Sequence, residues 1–104
     1  MIPLKLKSFI LKVLNNTEDD SLKWIEADNE AYFCNHKNHT LHISQYFDPD
    51  REEGYFKFII KTSGKITPFS VYDDEDDYIL MRKLWSAIIV NANDISDDLE
   101  NFFD

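Results

Sequence analysis

The sequence predicts an α+β domain in which helices cover one face of an antiparallel sheet. Apolar residues follow helical spacing near both ends of the chain and alternate with polar residues in the long middle region. A period of about 3.6 residues indicates an amphipathic helix, whereas alternation indicates a half-buried strand. We therefore expect an N-terminal helix, a five-stranded antiparallel meander, and a long C-terminal helix followed by a short one, packed on one sheet face.

The first helix is expected from about residue 3 to residue 14. Its apolar stripe recurs at three- and four-residue steps and consists of Leu6, Phe9, Ile10, Val13 and Leu14. Lysines lie away from this stripe, as is typical of an amphipathic helix. Pro3 fits the first turn, where the amide that it lacks would be unpaired. The polar segment 15–17 is expected to end the helix.

Five strands are expected between residues 22 and 71. Leu22 and Trp24 mark the first, and the others are expected at 32–36, 40–44, 55–61 and 66–71. Turn-forming residues separate these runs at 28–29, 37–38, 48–54 and 62–64. Because Pro68 has no backbone N–H to donate, the fifth strand is expected at an edge of the sheet.

A run of five consecutive acidic residues, 73–77, precedes the second helical pattern. Negative charge is favourable at the positive end of a helix, so Asp73 is expected as the N-cap of a helix that ends near Asn91. The buried stripe of this helix is expected to contain Tyr78, Met81, Leu84, Trp85, Ile88 and Ile89. A third helix at 95–103 is expected to bury Ile95, Leu99 and Phe102.

Four segments occur in an order that resembles a group of small bacterial and mobile-element domains of unknown function. They are Leu22-Lys23-Trp24, the Gly-Lys turn at 64–65, the segment 69–71, and the acidic helix start at 73–84. The resemblance extends over most of the chain and implies this α+β fold. Since the group has no established activity, the resemblance implies no substrate or cofactor.

Length and composition restrict the class of protein. The 104 residues accommodate one domain, 1–104, and the aromatic content of 14% is typical of a folded chain. The single cysteine and the lack of a signal-peptide pattern indicate the cytoplasm. No apolar run approaches the roughly 20 residues that span a bilayer. A net charge of −9 disfavours direct nucleic-acid binding; it favours either a basic partner or solubility alone.

No motif predicts catalysis, and we expect no metal or other cofactor. Cys34, His36 and His39 could share one sheet face, but the expected hairpin places His42 on the other face, and the spacing matches no zinc motif. The acidic run lacks the spacing of a calcium loop. Ordinary hairpin residues and an acidic helix start are therefore the preferred interpretations.

Strand alternation predicts a candidate partner surface. With Leu41, Ile43, Phe56, Phe58 and Ile60 directed inward, six residues are directed outward: Phe33, His42, Tyr46, Tyr55, Lys57 and Ile59. An exposed aromatic face is typical of an interface, although loops or the N-terminal helix could cover it instead. A candidate acidic surface contains Asp74, Asp76, Asp77, Asp97 and Asp98.

Three hypotheses about function follow. The favoured one is a non-catalytic acidic module that binds a protein with a basic surface, as an inhibitor, an immunity-like protein or a DNA mimic would. The alternative is a structural subunit that forms homodimers or larger oligomers through the outward face. A small enzyme or metal protein is the third.

Overall fold

The chain forms its elements in the predicted order. In this computed structural model, residues 1–28, 30–94 and 96–103 are described, apart from the side chains of Ser96 and Asp97. A 3-10 turn at Leu4–Leu6 precedes helix α1 (Lys7–Glu18). Five strands follow: β1 (Ile25–Ala27), β2 (Ala31–His36), β3 (His39–Asp48), β4 (Glu53–Thr62) and β5 (Lys65–Tyr72). Helix α2 (Tyr78–Asn93) and helix α3 (Ser96–Glu100) complete the fold.

The sheet is the predicted antiparallel meander, with the strand order β1-β2-β3-β4-β5. Strand β5 lies at an edge, which confirms the interpretation of Pro68. The β2–β3 hairpin turns at Lys37 and Asn38, whose φ angles are 48° and 67°. Two successive left-handed residues match the twist of the flanking strands. This turn pairs His36 with His39 and Phe33 with His42, as the sequence predicts.

Both α1 and α2 pack against one face of the sheet, which we call the inner face. Ile10 and Val13 of α1 and Leu84 of α2 belong to the same buried cluster as the inner-face strand residues. All five residues predicted to point inward are buried: Leu41, Ile43, Phe56, Phe58 and Ile60. The predicted α2 stripe is confirmed, with Met81, Leu84 and Ile88 buried and Tyr78, Trp85 and Ile89 partly buried.

Helix α1 lies about four residues further along the chain than predicted: it begins at Lys7, after the 3-10 turn, and ends at Glu18, because tertiary contacts support its last turn. The segment 15–17 stays helical, and Thr17 is buried with 1% of its surface exposed. The helix ends where Asp20 adopts a left-handed φ of 64°, a conformation that ends many helices. A polar segment was therefore an unreliable stop signal here.

A buried polar network holds α1, α2 and the start of the sheet together. Asn91 of α2 accepts a hydrogen bond from the Trp24 backbone N–H at 2.8 Å, and its Nδ2 donates to Leu22 O at 2.7 Å. The same Nδ2 lies 3.2 Å from Thr17 O. The Trp24 indole donates to Thr17 Oγ1 at 3.0 Å. One α2 side chain thus binds backbone groups that neither a helix nor a strand satisfies.

The predicted first strand is also corrected by this network. Strand β1 begins at Ile25, and Leu22 and Trp24 precede it. Because the Trp24 N–H bonds to Asn91, it is not available for a strand ladder. Trp24 itself is buried, with 3% of its surface exposed.

The prediction that Asp73 caps α2 is wrong, since the helix begins five residues later at Tyr78. The Asp73 carboxylate instead accepts a hydrogen bond from the Gly54 N–H at 3.2 Å. Glu75 likewise accepts one from the Tyr72 N–H at 2.6 Å. These acidic residues therefore form a turn that binds the end of the sheet.

The final helix is shorter and more exposed than predicted. It covers Ser96–Glu100, and Leu99 and Phe102 are 61% and 73% exposed. Ile95, the third residue expected to be buried here, lies outside the described residues. Helical spacing revealed an apolar stripe but not whether a partner surface exists for it.

Among the described residues, no helix combines the length and apolar composition needed to cross a membrane.

Replacing Asn91 by Leu is expected to lower the free energy of unfolding by about 3 kcal/mol or more, because buried backbone groups lose their partners. Asn93→Leu makes the same change at an exposed position of α2, where a change within about 0.5 kcal/mol is expected. Denaturant unfolding measures both. Equal losses in the two variants would show that the Asn91 network contributes little.

Candidate protein-binding surface

The six residues predicted to point outward share the second face of the sheet, the outer face. Cross-strand pairing places Phe33, His42 and Ile59 in one row and joins Tyr46 to Tyr55 in another. Tyr46 is 46% exposed, and the other five have intermediate exposure. The sequence left open whether the N-terminal helix covers the outer face. Helix α1 does not cover it, because α1 packs in the core on the inner face.

A row of three stacked tyrosines crosses strands β3, β4 and β5 on the outer face. The ring centroids of Tyr46 and Tyr55 are 5.5 Å apart, and those of Tyr55 and Tyr72 are 4.8 Å apart. We call these residues the tyrosine row. Burial and the neighbouring Tyr72 and Asp48 raise the pKa of Tyr55. The central ring of the row, Tyr55, therefore stays uncharged at neutral pH.

A second row on the outer face is apolar and contains a neutral imidazole. This row has one residue from each of the five strands, and each residue pairs with the next: Ile25, Phe33, His42, Ile59 and Pro68. Burial, followed by the charges of Lys61 and Lys57, lowers the pKa of His42. No described residue offers a hydrogen-bond partner to His42 Nδ1, which is buried.

A third row, of three small residues and Lys57, lies between these two rows. Ala31, Ser44, Lys57 and Ser70 pair across β2 to β5, and Ala31 and Ser44 are buried between their larger neighbours. Ser44 Oγ has no hydrogen-bond partner among the described residues. The Lys57 side chain, which is partly exposed, is the long side chain of this middle row.

The tyrosine row lies next to a strongly acidic end of the sheet. In a meander, alternate turns lie at the same end of the sheet, and here that end carries Asp28, Glu30, the turn 48–53 and the run 73–77. We call these residues the acidic end; they include more than half of the 20 acidic residues. The segments 31–47 and 54–72, which form most of the sheet, contain no acidic residue.

Arg51 shows how the acidic end and the tyrosine row accommodate a cation. Its guanidinium carbon lies 3.7 Å from the centroid of the Tyr72 ring. Its Nη2 lies 3.0 Å from Glu53 Oε2 and 3.8 Å from Asp74 Oδ2. A guanidinium stacked on a ring and paired with two carboxylates combines cation–π attraction with ion pairing.

Three carboxylates converge beside Arg51. Glu53, Asp73 and Asp74 each place an oxygen within 4.8 Å of the others. Burial raises the pKa of Glu53; Arg51 acts in the opposite direction, but the charges of Asp74 and Asp73 add to the increase. The Arg51 guanidinium supplies a cation beside this cluster and pairs with Glu53 and Asp74.

The residues of the predicted acidic surface occupy different environments. Asp74 and Asp76 are exposed at the acidic end. Asp77 is partly buried, because it accepts a hydrogen bond from the Ile2 N–H at 2.9 Å and pairs with Lys7 at 3.3 Å. Asp98 is exposed on α3, and the Asp97 side chain lies outside the described residues. Asp77 therefore holds the N-terminal segment.

Cys34 and the histidines are also separated. Cys34 is 1% exposed in the core, where burial raises the pKa of its thiol. His36 and His39 are exposed at the tip of the β2–β3 hairpin, and His42 lies on the outer face. Among the described residues, no group of three or more potential metal ligands contains Cys34 or a histidine.

Sequence reasoning missed Tyr72 and Arg51. The alternation of Pro68 and Ser70 continues to Tyr72, so extending the fifth strand by one residue would have included it. Arg51 gave no periodic signal because it lies in a turn.

No protein-family model, curated protein or solved structure matches the chain.

We expect the pKa of His42 to rise when Lys61 is replaced by Met, because a repelling positive charge is removed. Lys65→Met, at an exposed position of β5, is the matched control and should leave this pKa unchanged. NMR titration of the imidazole protons measures both. An unchanged pKa in Lys61→Met would show that the charge of Lys61 does not lower the pKa of His42.

The lowered pKa of His42 also determines how the stability of the protein changes with pH. As the pH falls below the ordinary value of 6.5, the unfolded chain takes up a proton at His42 before the folded chain does. The stability associated with neutral His42 is therefore present above pH 6.5 and is lost as the pH falls through the folded-state pKa. Lys61→Met should reduce this loss.

Proposed function

We propose that this protein is a non-catalytic module that binds a basic protein surface through the tyrosine row and the acidic end. The observation that carries the proposal is the arrangement around Arg51, in which a guanidinium stacks on Tyr72 and pairs with Glu53 and Asp74. Tyr55 and Tyr46 continue this row of rings away from Arg51. Arginine or lysine side chains of a partner would bind along them.

Charge distribution supports this partner class. The acidic end concentrates negative charge beside aromatic contact area, and such a field accelerates the approach of a positively charged protein. Tyrosine supplies large, rigid contact area and is enriched among residues that dominate binding energy. An inhibitor, an immunity-like protein and a DNA mimic would each use such a surface, with a nucleic-acid-binding protein as the partner of the last.

Homodimerisation through the outer face is the second candidate, and one observation favours it. Lys57 and Lys61 lie on the outer face, whereas more than half of the acidic residues belong to the acidic end. Two copies related by a two-fold axis, with their strands antiparallel, would place the lysines of each near the acidic end of the other. Sedimentation equilibrium tests this: Lys61→Glu should abolish a salt-sensitive dimer, and a wild-type monomer would reject this candidate.

Binding of a blocked hexa-arginine peptide, measured by calorimetry at several salt concentrations, tests the proposed function. Tyr55→Ala should weaken binding, because it removes the central ring of the row. Arg51→Gln should strengthen binding at least about threefold relative to Arg82→Gln, because it frees Tyr72 and two carboxylates for the peptide. Arg82 is exposed on α2, so the two substitutions change the net charge equally.

A second pair of variants separates the local site from overall charge. Asp74→Lys reverses a charge at the acidic end, whereas Asp98→Lys makes the same change on α3. Helix α2 has 16 residues, so it separates these positions by about 24 Å of helix. Asp74→Lys should weaken binding more than Asp98→Lys does. Equal effects in both pairs of variants would show that the peptide responds to net charge alone and would overturn the proposed surface.

A further inference from the structure

A cavity of about 290 Å³ lies between α1 and the tip of the β2–β3 hairpin. Phe9 and Val13 of α1 line one side, and Leu41 of β3 lines the other. Phe9 belongs to the apolar stripe of α1 yet remains 38% exposed. The helix therefore does not close onto the hairpin at this point, and apolar surface remains accessible.

The polar groups of the cavity are basic or uncharged. Lys12, His36 and His39 belong to its lining, and no acidic side chain does among the described residues. This is unusual in a chain with 20 acidic and 11 basic residues. A second cleft, of about 380 Å³, is lined by Glu18, Asp20 and Asp94 and has the opposite character.

The cavity is distant from the proposed protein-binding surface. His36 and His39 flank the turn 37–38, which lies at the end of the sheet opposite the acidic end. An anion near Lys12 would be held away from the greatest concentration of carboxylates. The two surfaces can therefore be tested separately.

We propose that this cavity binds a small amphiphilic carboxylate, with its apolar body between Phe9, Val13 and Leu41 and its carboxylate near Lys12 and the two histidines. An ammonium group and imidazole N–H groups all donate hydrogen bonds to a carboxylate. The cavity volume is at the lower limit of roughly 300 Å³ for small-molecule sites. The ligand class is therefore a short or medium-length alkyl carboxylate, or an aromatic carboxylate of similar size.

Titration of the ¹⁵N-labelled full chain with octanoate tests the proposal, with octan-1-ol as a neutral ligand of equal chain length. Octanoate should give saturable shifts at the amides of Val13, His39 and Leu41. Octanol should bind at least about threefold more weakly, since it lacks the charge that pairs with Lys12. Equal affinities for the two ligands would overturn recognition of the carboxylate.

Matched variants identify the site of binding. Lys12→Met should weaken octanoate binding at least about threefold, whereas Lys5→Met, an equal charge change outside the cavity, should not. Ser21→Phe places a large ring in the lining from an exposed position, so it should abolish the shifts while preserving the melting temperature. Absence of saturation, or shifts centred on the acidic end, would overturn the proposal.

Discussion

Strand register is the constraint on which both faces of the sheet depend. Because side chains alternate along a strand, a slip of one residue between β2 and β3 would move His42 to the inner face and Leu41 to the outer face. The left-handed pair Lys37 and Asn38 fixes this register at the hairpin tip. Apolar burial on the inner face reinforces it, since a slip of one residue would move buried residues such as Leu41 and Ile43 out of the core.

Meander topology then separates the charges. Since successive turns alternate between the two ends of the sheet, the turns after β1 and β3 and the segment after β5 lie together, and these carry most of the acidic residues. The opposite end has the turns 37–38 and 63–64, near Lys37, Lys61 and Lys65. The meander thereby places the acidic end beside the tyrosine row and the cavity with Lys12, His36 and His39 at the opposite end of the sheet.

Local patterns predicted much of this structure. Alternation identified the two faces of β3 and β4, the turn residues at 37–38 gave the hairpin register, and Pro68 indicated an edge strand. The errors arose where a side chain has a distant partner. Asn91 binds Trp24, which is 67 positions away, and Asp77 binds Ile2, which is 75 positions away. No periodic pattern reveals such contacts, so the helix boundaries and the roles of the acidic residues required the three-dimensional structure.

The proposed function requires that a basic partner bind where the tyrosine row meets the acidic end. Titration of the ¹⁵N-labelled protein with hexa-arginine, followed by mapping of the amide shifts, tests it most directly. We expect the largest shifts at Tyr46, Tyr55 and Tyr72 and in the turn 48–53, with small shifts on α3. Shifts distributed over all acidic segments, or centred on Glu18 and Asp20, would contradict it.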